Sequence, residues 1–253
     1  MTDLTGQVAL VTGAEAGIGY ATAVALAERG ADIAVHYYCA KTGPSAVVRD
    51  IAALGRRAHA FQADLTRREE VARTVCAVEA ALGGIDILVN NAGGLLGRYP
   101  LVDMPEEFFH QVMDVNVLTT FLCCQAVAPG MIARKRGAIV NLTSLAAHNG
   151  GGPGASVYAA AKAAVLTLTK AWARELAPCG IRVNAVSPGL IGGTPFHTTF
   201  TKPEVFETIV RTIPLGRAGT AADVARVIAF LAGEDAGYLA GETVEVNGGM
   251  FTR

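Results

Sequence analysis

A doubly wound α/β fold, a parallel sheet with helices on both faces, is predicted by three observations. Short runs rich in Val, Ile and Leu alternate with longer alanine-rich stretches of helical period along the whole chain. Glycines such as Gly30 and Gly55 stand where the helical stretches stop. Ligand-type residues fall just after the apolar runs, where the carboxyl ends of parallel strands would gather them.

The elements follow in order. QVALVTG reads as a first strand and GIGYATAVALAERG as a helix closed by Gly30. ADIAVHY is a strand, PSAVVRDIAALG a helix closed by Gly55, and AHAFQAD a third strand. RREEVARTVCAVEAALGG carries apolar residues at helical spacing. The unbroken apolar run of IDILVNNAG predicts a strand buried on both faces. PEEFFHQVMDVNVLTTFLCCQAVAPGMI reads as one long helix, GAIVNLTS as strand five, SVYAAAKAAVLTLTKAWARELA as a helix and IRVNAVSPG as strand six. An irregular insert precedes a last helix, AADVARVIAFLAG, and a last strand, GETVEVNGG. The alternation implies right-handed crossovers. No linker, repeat or low-complexity segment stands out, so residues 1–253 read as one domain with a substrate-loop insert at about 191–214.

Composition narrows the function. Lys and Arg total 21 against 22 Asp and Glu, a formal charge of −1, which offers no basic footprint for nucleic acid and no charge-based case for a membrane surface. Hydrophobic residues make up 51% and the mean hydropathy is +0.37, enough for a large core. No apolar run reaches the ~18 residues of a membrane span. MTDLTGQVAL lacks the basic and apolar regions of a secretory signal, so a cytoplasmic protein is expected. The five cysteines, Cys39, Cys76, Cys123, Cys124 and Cys179, have no metal-ligand spacing and read as buried thiols in a reducing compartment.

VTGAEAGIGY places Gly13, Gly17 and Gly19 between a strand and a helix start. Glycine there permits a tight turn and close approach to a pyrophosphate, whose charge the helix N-terminus favours. Asp64, with Leu65 beside it, follows strand three, where a carboxylate can accept from an adenine amino group or cap the next helix. Asn91, Ala92 and Gly93 end strand four and are small enough to let a flat ring approach the backbone.

In this order and spacing, Thr12-Gly13, Gly17-Ile18-Gly19, Asp64, Asn90-Asn91-Ala92-Gly93, Asn116, Ser144, Tyr158 with Lys162, and Pro188-Gly189 make the chain resemble the short-chain dehydrogenase/reductase family over essentially its whole length. The resemblance implies a Rossmann-type sheet, a nicotinamide cofactor and a homotetramer or homodimer. It also implies that Lys162 holds the nicotinamide ribose and that Asn116 holds a water in a proton relay. A satisfied amide at a helix kink is the other reading of Asn116. After Pro188-Gly189 the family's threonine for the carboxamide falls late, so that contact is assigned to Thr194 or to the backbone near Ile191. Ser144 and Tyr158 lie fourteen residues apart, slightly more than is common in the family.

The residue types suit carbonyl reduction. Tyr158 and Lys162 are four apart and share a helix face. A phenol of pKa ~10 exchanges protons poorly near neutral pH, and a nearby ammonium is expected to lower it. Ser144, after strand five, can hydrogen-bond the substrate oxygen as charge develops there.

NAD and NADP differ only at the adenosine 2′ position. The end of strand two lacks the Asp that NAD-specific relatives place where Tyr37 stands, Tyr38 follows it, and Lys41 is near enough to meet a phosphate. Those features lean to NADP(H). Glu15 pushes the other way, because a carboxylate facing the ribose repels a 2′-phosphate and can accept from a 2′-hydroxyl. Like charges in contact cost a few kcal/mol at an effective dielectric near 20, on the order of a 100-fold preference. NAD(H) is favoured unless Glu15 points to solvent or pairs with Lys41.

Substrate contacts are expected from Gly94 and Arg98, from His148 and Asn149, and from His197 in the insert, together with Ser144 and Tyr158. His148 and Arg98 read equally as surface-loop residues. The glycine-rich middle segment suits a small polar keto-sugar or uronate carbonyl better than a long acyl chain. The alternatives are reduction of a 3-oxoacyl group on a carrier protein, for which Arg134-Lys135-Arg136 would be a docking cue or a helix cap, and a non-catalytic dinucleotide sensor. The segment GTPFHTTF is a candidate lid.

Overall fold

The protein is described by a computed structural model covering residues 3–39 and 43–252. Seven strands form one parallel sheet in the order β3-β2-β1-β4-β5-β6-β7: β1 (Val8–Val11), β2 (Asp32–Tyr37), β3 (Ala58–Gln62), β4 (Ile87–Asn90), β5 (Gly137–Leu142), β6 (Ile181–Pro188) and β7 (Thr243–Val246). The order reverses between β1 and β4, the place where a doubly wound sheet opens a crevice. β1 and β4 are buried at every position, as their unbroken apolar runs require.

One set of helices packs around Leu26, Ile33, Val89, Val140 and Ile228, from α1 (Gly17–Ala27), α2 (Ser45–Ala53) and α10 (Ala221–Ala232). The opposite core gathers Leu10, Val78, Leu88, Met131 and Ile139 under α3 (Arg68–Leu82), α5 (Thr119–Arg134) and α7 (Ser156–Leu176). Thr220 and Asp223 close a reciprocal capping box at the start of α10. Its last carbonyls are met by the Arg182 guanidinium, which donates to Leu231 O at 2.6 Å and Ala232 O at 3.1 Å.

Three expectations change. The long helix is two, α4 (Glu106–Met113) and α5, joined by a π-helical turn at Asp114–Leu118. Thr119 and Thr120 hydroxyls bond the carbonyls of Val115 and Asn116, four residues back, at 2.8 and 3.0 Å. The continuous helical stretch Glu106–Arg134 has a mean hydropathy of 1.5 in its most apolar window and is long and apolar enough to cross a bilayer, with 44% of that window buried against the protein. The insert is not irregular: it holds α8 (Pro195–Phe200) and α9 (Pro203–Val210), and a short α6 (Ala146–Asn149) follows Ser144. Cys123 and Cys124 are buried, and burial pushes the Cys124 thiol up to about 12, but Cys39 and Cys76 are exposed.

Candidate active site

Six of the seven strands, from β3 to β6 in the sheet order, contribute their carboxyl ends to one cavity of about 1050 Å³. Asp64 follows β3, Tyr38 follows β2, Gly13 follows β1, Asn91 follows β4, Ser144 follows β5 and Pro188 ends β6, and all six line it. At ~4.8 Å between neighbouring strands, the five intervals from β3 to β6 give a trough of roughly 24 Å. That is an extended site, suited to a dinucleotide with a substrate at one end.

The glycine turn is held by side chains on both sides. Gly13 and Gly17 have φ of +61° and +56°, the left-handed region that glycine enters without strain. Asn91 Nδ2 donates to the carbonyls of Thr12 and Gly13, each at 2.8 Å. The Thr12 hydroxyl accepts from the backbone N–H groups of Asn91 and Ala92, each at 2.9 Å. α1 begins without a side-chain cap, so its first amides are offered to the trough. These features fit a bound pyrophosphate: a bare glycine backbone, a helix N-terminus and no competing cap. Gly19 itself does not line the cavity. A Cβ there would collide with the Gly13 carbonyl, so its hydrogen lets α1 pack against the turn.

At the adenosine end, Glu15, Ile18, Tyr38, Asp64 and Leu65 face the trough. Glu15 Oε2 is shielded from solvent with no hydrogen-bond partner among the described residues. Lys41, its sequence-expected partner, lies outside the described residues. Asp64 is both wall and cap: it accepts from Thr66 N at 3.0 Å and Thr66 Oγ1 at 2.6 Å. Burial opposes its charge, yet those bonds and Arg67 hold the carboxyl below the usual range. Tyr37 is a correction. It does not line the cavity, because alternate residues of a strand share a face and here they are His36 and Tyr38.

At the other end, Ser144, Tyr158 and Lys162 converge, with Gly93 between Lys162 and the neighbouring helix. A Cβ on Gly93 would stand 2.7 Å from Asn116 Oδ1 and 3.2 Å from Lys162 Nζ, so only glycine allows that approach. Ser144 shares a hydrogen bond with Tyr158, and Lys162 Nζ donates to Leu142 O at 2.9 Å. The expected lowering of the Tyr158 pKa is not found. Burial pushes the phenol up to about 12, partly offset by Ser144, and pushes the Lys162 ammonium down to about 8. The ammonium lies 5.8 Å from the Tyr158 ring centre and is turned to the Leu142 carbonyl, so desolvation outweighs it.

Asn116 is buried in the π-helical turn and is not part of the cavity wall. Its Nδ2 donates to Gly94 O at 2.8 Å and Val112 O at 2.9 Å, and its Oδ1 accepts from Gly94 N at 3.1 Å. With both amide protons used within the protein, it is the satisfied amide at a helix irregularity, and it fixes the Gly93-Gly94 turn.

Pro188, Gly189, Ile191 and Thr194 form the far wall, and the Thr194 hydroxyl donates to Ile191 O at 3.0 Å. Gly94, Arg98 and Asn149 line the substrate end, where Arg98 donates to Pro153 O at 3.0 Å. His148 does not: it pairs with Glu245 at 2.9 Å and stacks on Phe251 at 4.6 Å, away from the cavity. The side chain of His197 lies outside what the structure describes. Arg134 and Arg136, which precede β5, pair with Asp86 just before β4, at the amino edge of the sheet and the opposite end of β5 from Ser144.

Among the wall residues that the sequence did not single out, four bear on the site: His36, Leu95, Leu96 and Phe196. His36 was open to discovery from the period-two alternation of β2. Leu95, Leu96 and Phe196 were not. Leu96 holds a φ of 59°, and Phe196 packs its ring 5.7 Å from that of Tyr158.

Residues 13–251 match the family described as Enoyl-(Acyl carrier protein) reductase. The chain is 42% identical over 243 residues to 3-oxoacyl-[acyl-carrier-protein] reductase FabG of Staphylococcus epidermidis, covering 96% of this chain and 98% of that one. It is 44% identical over 251 residues to 3-oxoacyl-[acyl-carrier-protein] reductase of Synechocystis, covering 99% of each. The crystal structure of NADH-dependent reductase A1-R′ responsible for alginate metabolism superposes with a TM-score of 0.90 at 34% identity, covering 99% of both chains. Extent, fold and order of motifs agree, and the chain belongs to the short-chain dehydrogenase/reductase family, as an NAD(P)-dependent oxidoreductase.

Proposed function

We propose that the protein reduces the 3-oxo group of an acyl thioester to a hydroxyl. The observation that carries this reading is the set of apolar side chains that share the cavity with Ser144 and Tyr158: Leu95, Leu96, Leu145, Phe196 and Ile209. A lining of that kind suits an acyl chain. Only Leu145 of these lies between Ser144 and Tyr158, the segment whose lack of bulky residues pointed to a sugar; the other four come from other segments. The 3-oxoacyl-[acyl-carrier-protein] reductases at 42% and 44% identity support the same substrate class.

A bound nicotinamide supplies the hydride. The Ser144 hydroxyl and the Tyr158 phenol are the donors that meet the carbonyl oxygen, and Tyr158 gives it the proton. Lys162, close to Gly93, is held to bind the ribose and to support the phenolate once the proton has left. Asn116 acts from behind by fixing the Gly93-Gly94 turn.

Reduction of a keto-sugar uronate is the second reading. It is favoured by the polar Arg98 and Asn149 in the wall and by the likeness to the alginate-metabolism reductase. Preference for NAD(H) belongs to the same proposal and is supported by the unpartnered Glu15 Oε2. The implied homo-oligomer would bury the exposed Leu101, Val102 and Phe109. The test is turnover of NADH and NADPH with acetoacetyl-CoA and with an unsaturated-uronate-derived keto acid. Faster use of the thioester supports the first reading; use of the keto acid alone replaces it with the second.

A further inference from the structure

We propose that His36 is a positioning residue for cofactor binding, holding the first glycine of the turn through a neutral imidazole of fixed tautomer. Its Nδ1 accepts the Gly13 N–H at 3.1 Å, and its Nε2 faces Ala63 O at 3.1 Å. An acceptor Nδ1 carries no proton, so Nε2 carries the hydrogen and donates it to Ala63. The main chain of the same residue acts on the turn as well, since His36 O accepts from Ala14 N at 2.8 Å. Asn91 holds the Gly13 carbonyl from the other side at 2.8 Å. The peptide groups at Gly13 are thus fixed from β2 and from β4 across the strand between them.

His36 is 2% exposed, yet it forms part of the cavity wall beside Gly13 and Tyr38. It ties three things together: the turn that would hold the pyrophosphate, the end of β2 that would meet the adenosine, and β3, whose Ala63 precedes Asp64. A turn already ordered by these bonds loses less freedom when the dinucleotide binds, which raises affinity without touching the reacting atoms. Without the acceptor, the Gly13 N–H has no partner on that side and the turn must be ordered at the expense of binding.

Two substitutions separate the two ring nitrogens. In His36→Asn the amide oxygen can take the place of Nδ1 and accept from Gly13, with nothing to reach Ala63. In His36→Gln the amide nitrogen can take the place of Nε2 and donate to Ala63, with the Gly13 acceptor lost. Dissociation constants for NADH and NADPH are measured by titration calorimetry, with melting temperature and steady-state kinetics alongside. The Asn variant is expected to bind within about threefold of the original protein and the Gln variant about tenfold more weakly, one hydrogen bond's worth. The Gln loss should appear in the KM for cofactor more than in kcat. Equal weakening of the two, or no weakening of Gln, would overturn the proposal, whatever the melting temperatures show.

Discussion

Lys162 carries a cost in stability that its removal should reveal. Burial lowers its pKa from the ordinary 10.5 to about 8, and at 1.36 kcal/mol per pH unit that corresponds to about 3 kcal/mol against the ammonium at neutral pH. Lys162→Met removes the charge, keeps a flexible apolar stem and loses the 2.9 Å bond to Leu142 O, worth about 1 kcal/mol. The net expectation is a gain of about 2 kcal/mol at pH 7, or a melting temperature higher by roughly 4–8 °C in a chain of this size. Oxidoreductase activity should be lost at the same time. The pH dependence fixes the cause. Below about 8 both folded and unfolded chains hold the proton and the penalty is full. Between about 8 and 10.5 the folded chain releases it first, so the unfolded state binds more protons and the unsubstituted protein gains stability as pH rises. Urea titrations of both proteins at pH 7 and pH 10 measure this. A Met variant less stable at pH 7, or an advantage that does not shrink toward pH 10, would show that the buried ammonium does not cost the fold stability.

The other structural claims can be tested as directly. Glu15→Ser should shift the ratio of kcat/KM for NADPH over NADH upward by up to about 100-fold, and an unchanged ratio would remove Glu15 from cofactor choice. Gly19→Ala should weaken cofactor binding sharply in calorimetry, because the added methyl meets the Gly13 carbonyl and displaces α1 from the turn. Thr220→Ala opens the capping box of α10 and should lower the denaturation free energy by about 1 kcal/mol with kinetics unchanged.

The sheet was legible because hydrophobic period and glycine stops agree along the chain, and the ligand residues at its carboxyl edge followed from that. What escaped was geometry without a local pattern. Pro195 and Pro203 look like breakers in the insert, yet each occupies the first position of a helix, where its missing N–H costs nothing. The π-helical turn at Asn116 depends on how that amide reaches Gly94, a contact between distant segments. Tyr37 was chosen by its place in the family pattern, whereas strand alternation favours its neighbours. His148 drew notice by its position after Ser144, but Glu245 and Phe251 from the end of the chain turn it aside. The Tyr158 phenol illustrates a further limit: spacing puts Lys162 on the same face, and only the depth of burial decides which effect sets the pKa.

In the proposed reaction Tyr158 delivers a proton to a substrate carbonyl at the end of a dinucleotide trough. The most direct measurement compares the original protein with Tyr158→Phe, which keeps the ring packing on Phe196 and removes only the hydroxyl. Nicotinamide oxidation with acetoacetyl-CoA is followed by absorbance and cofactor affinity by calorimetry. A fall in kcat of about 100-fold or more with the cofactor dissociation constant held within about threefold is the predicted result. Turnover retained by the Phe variant would contradict the account.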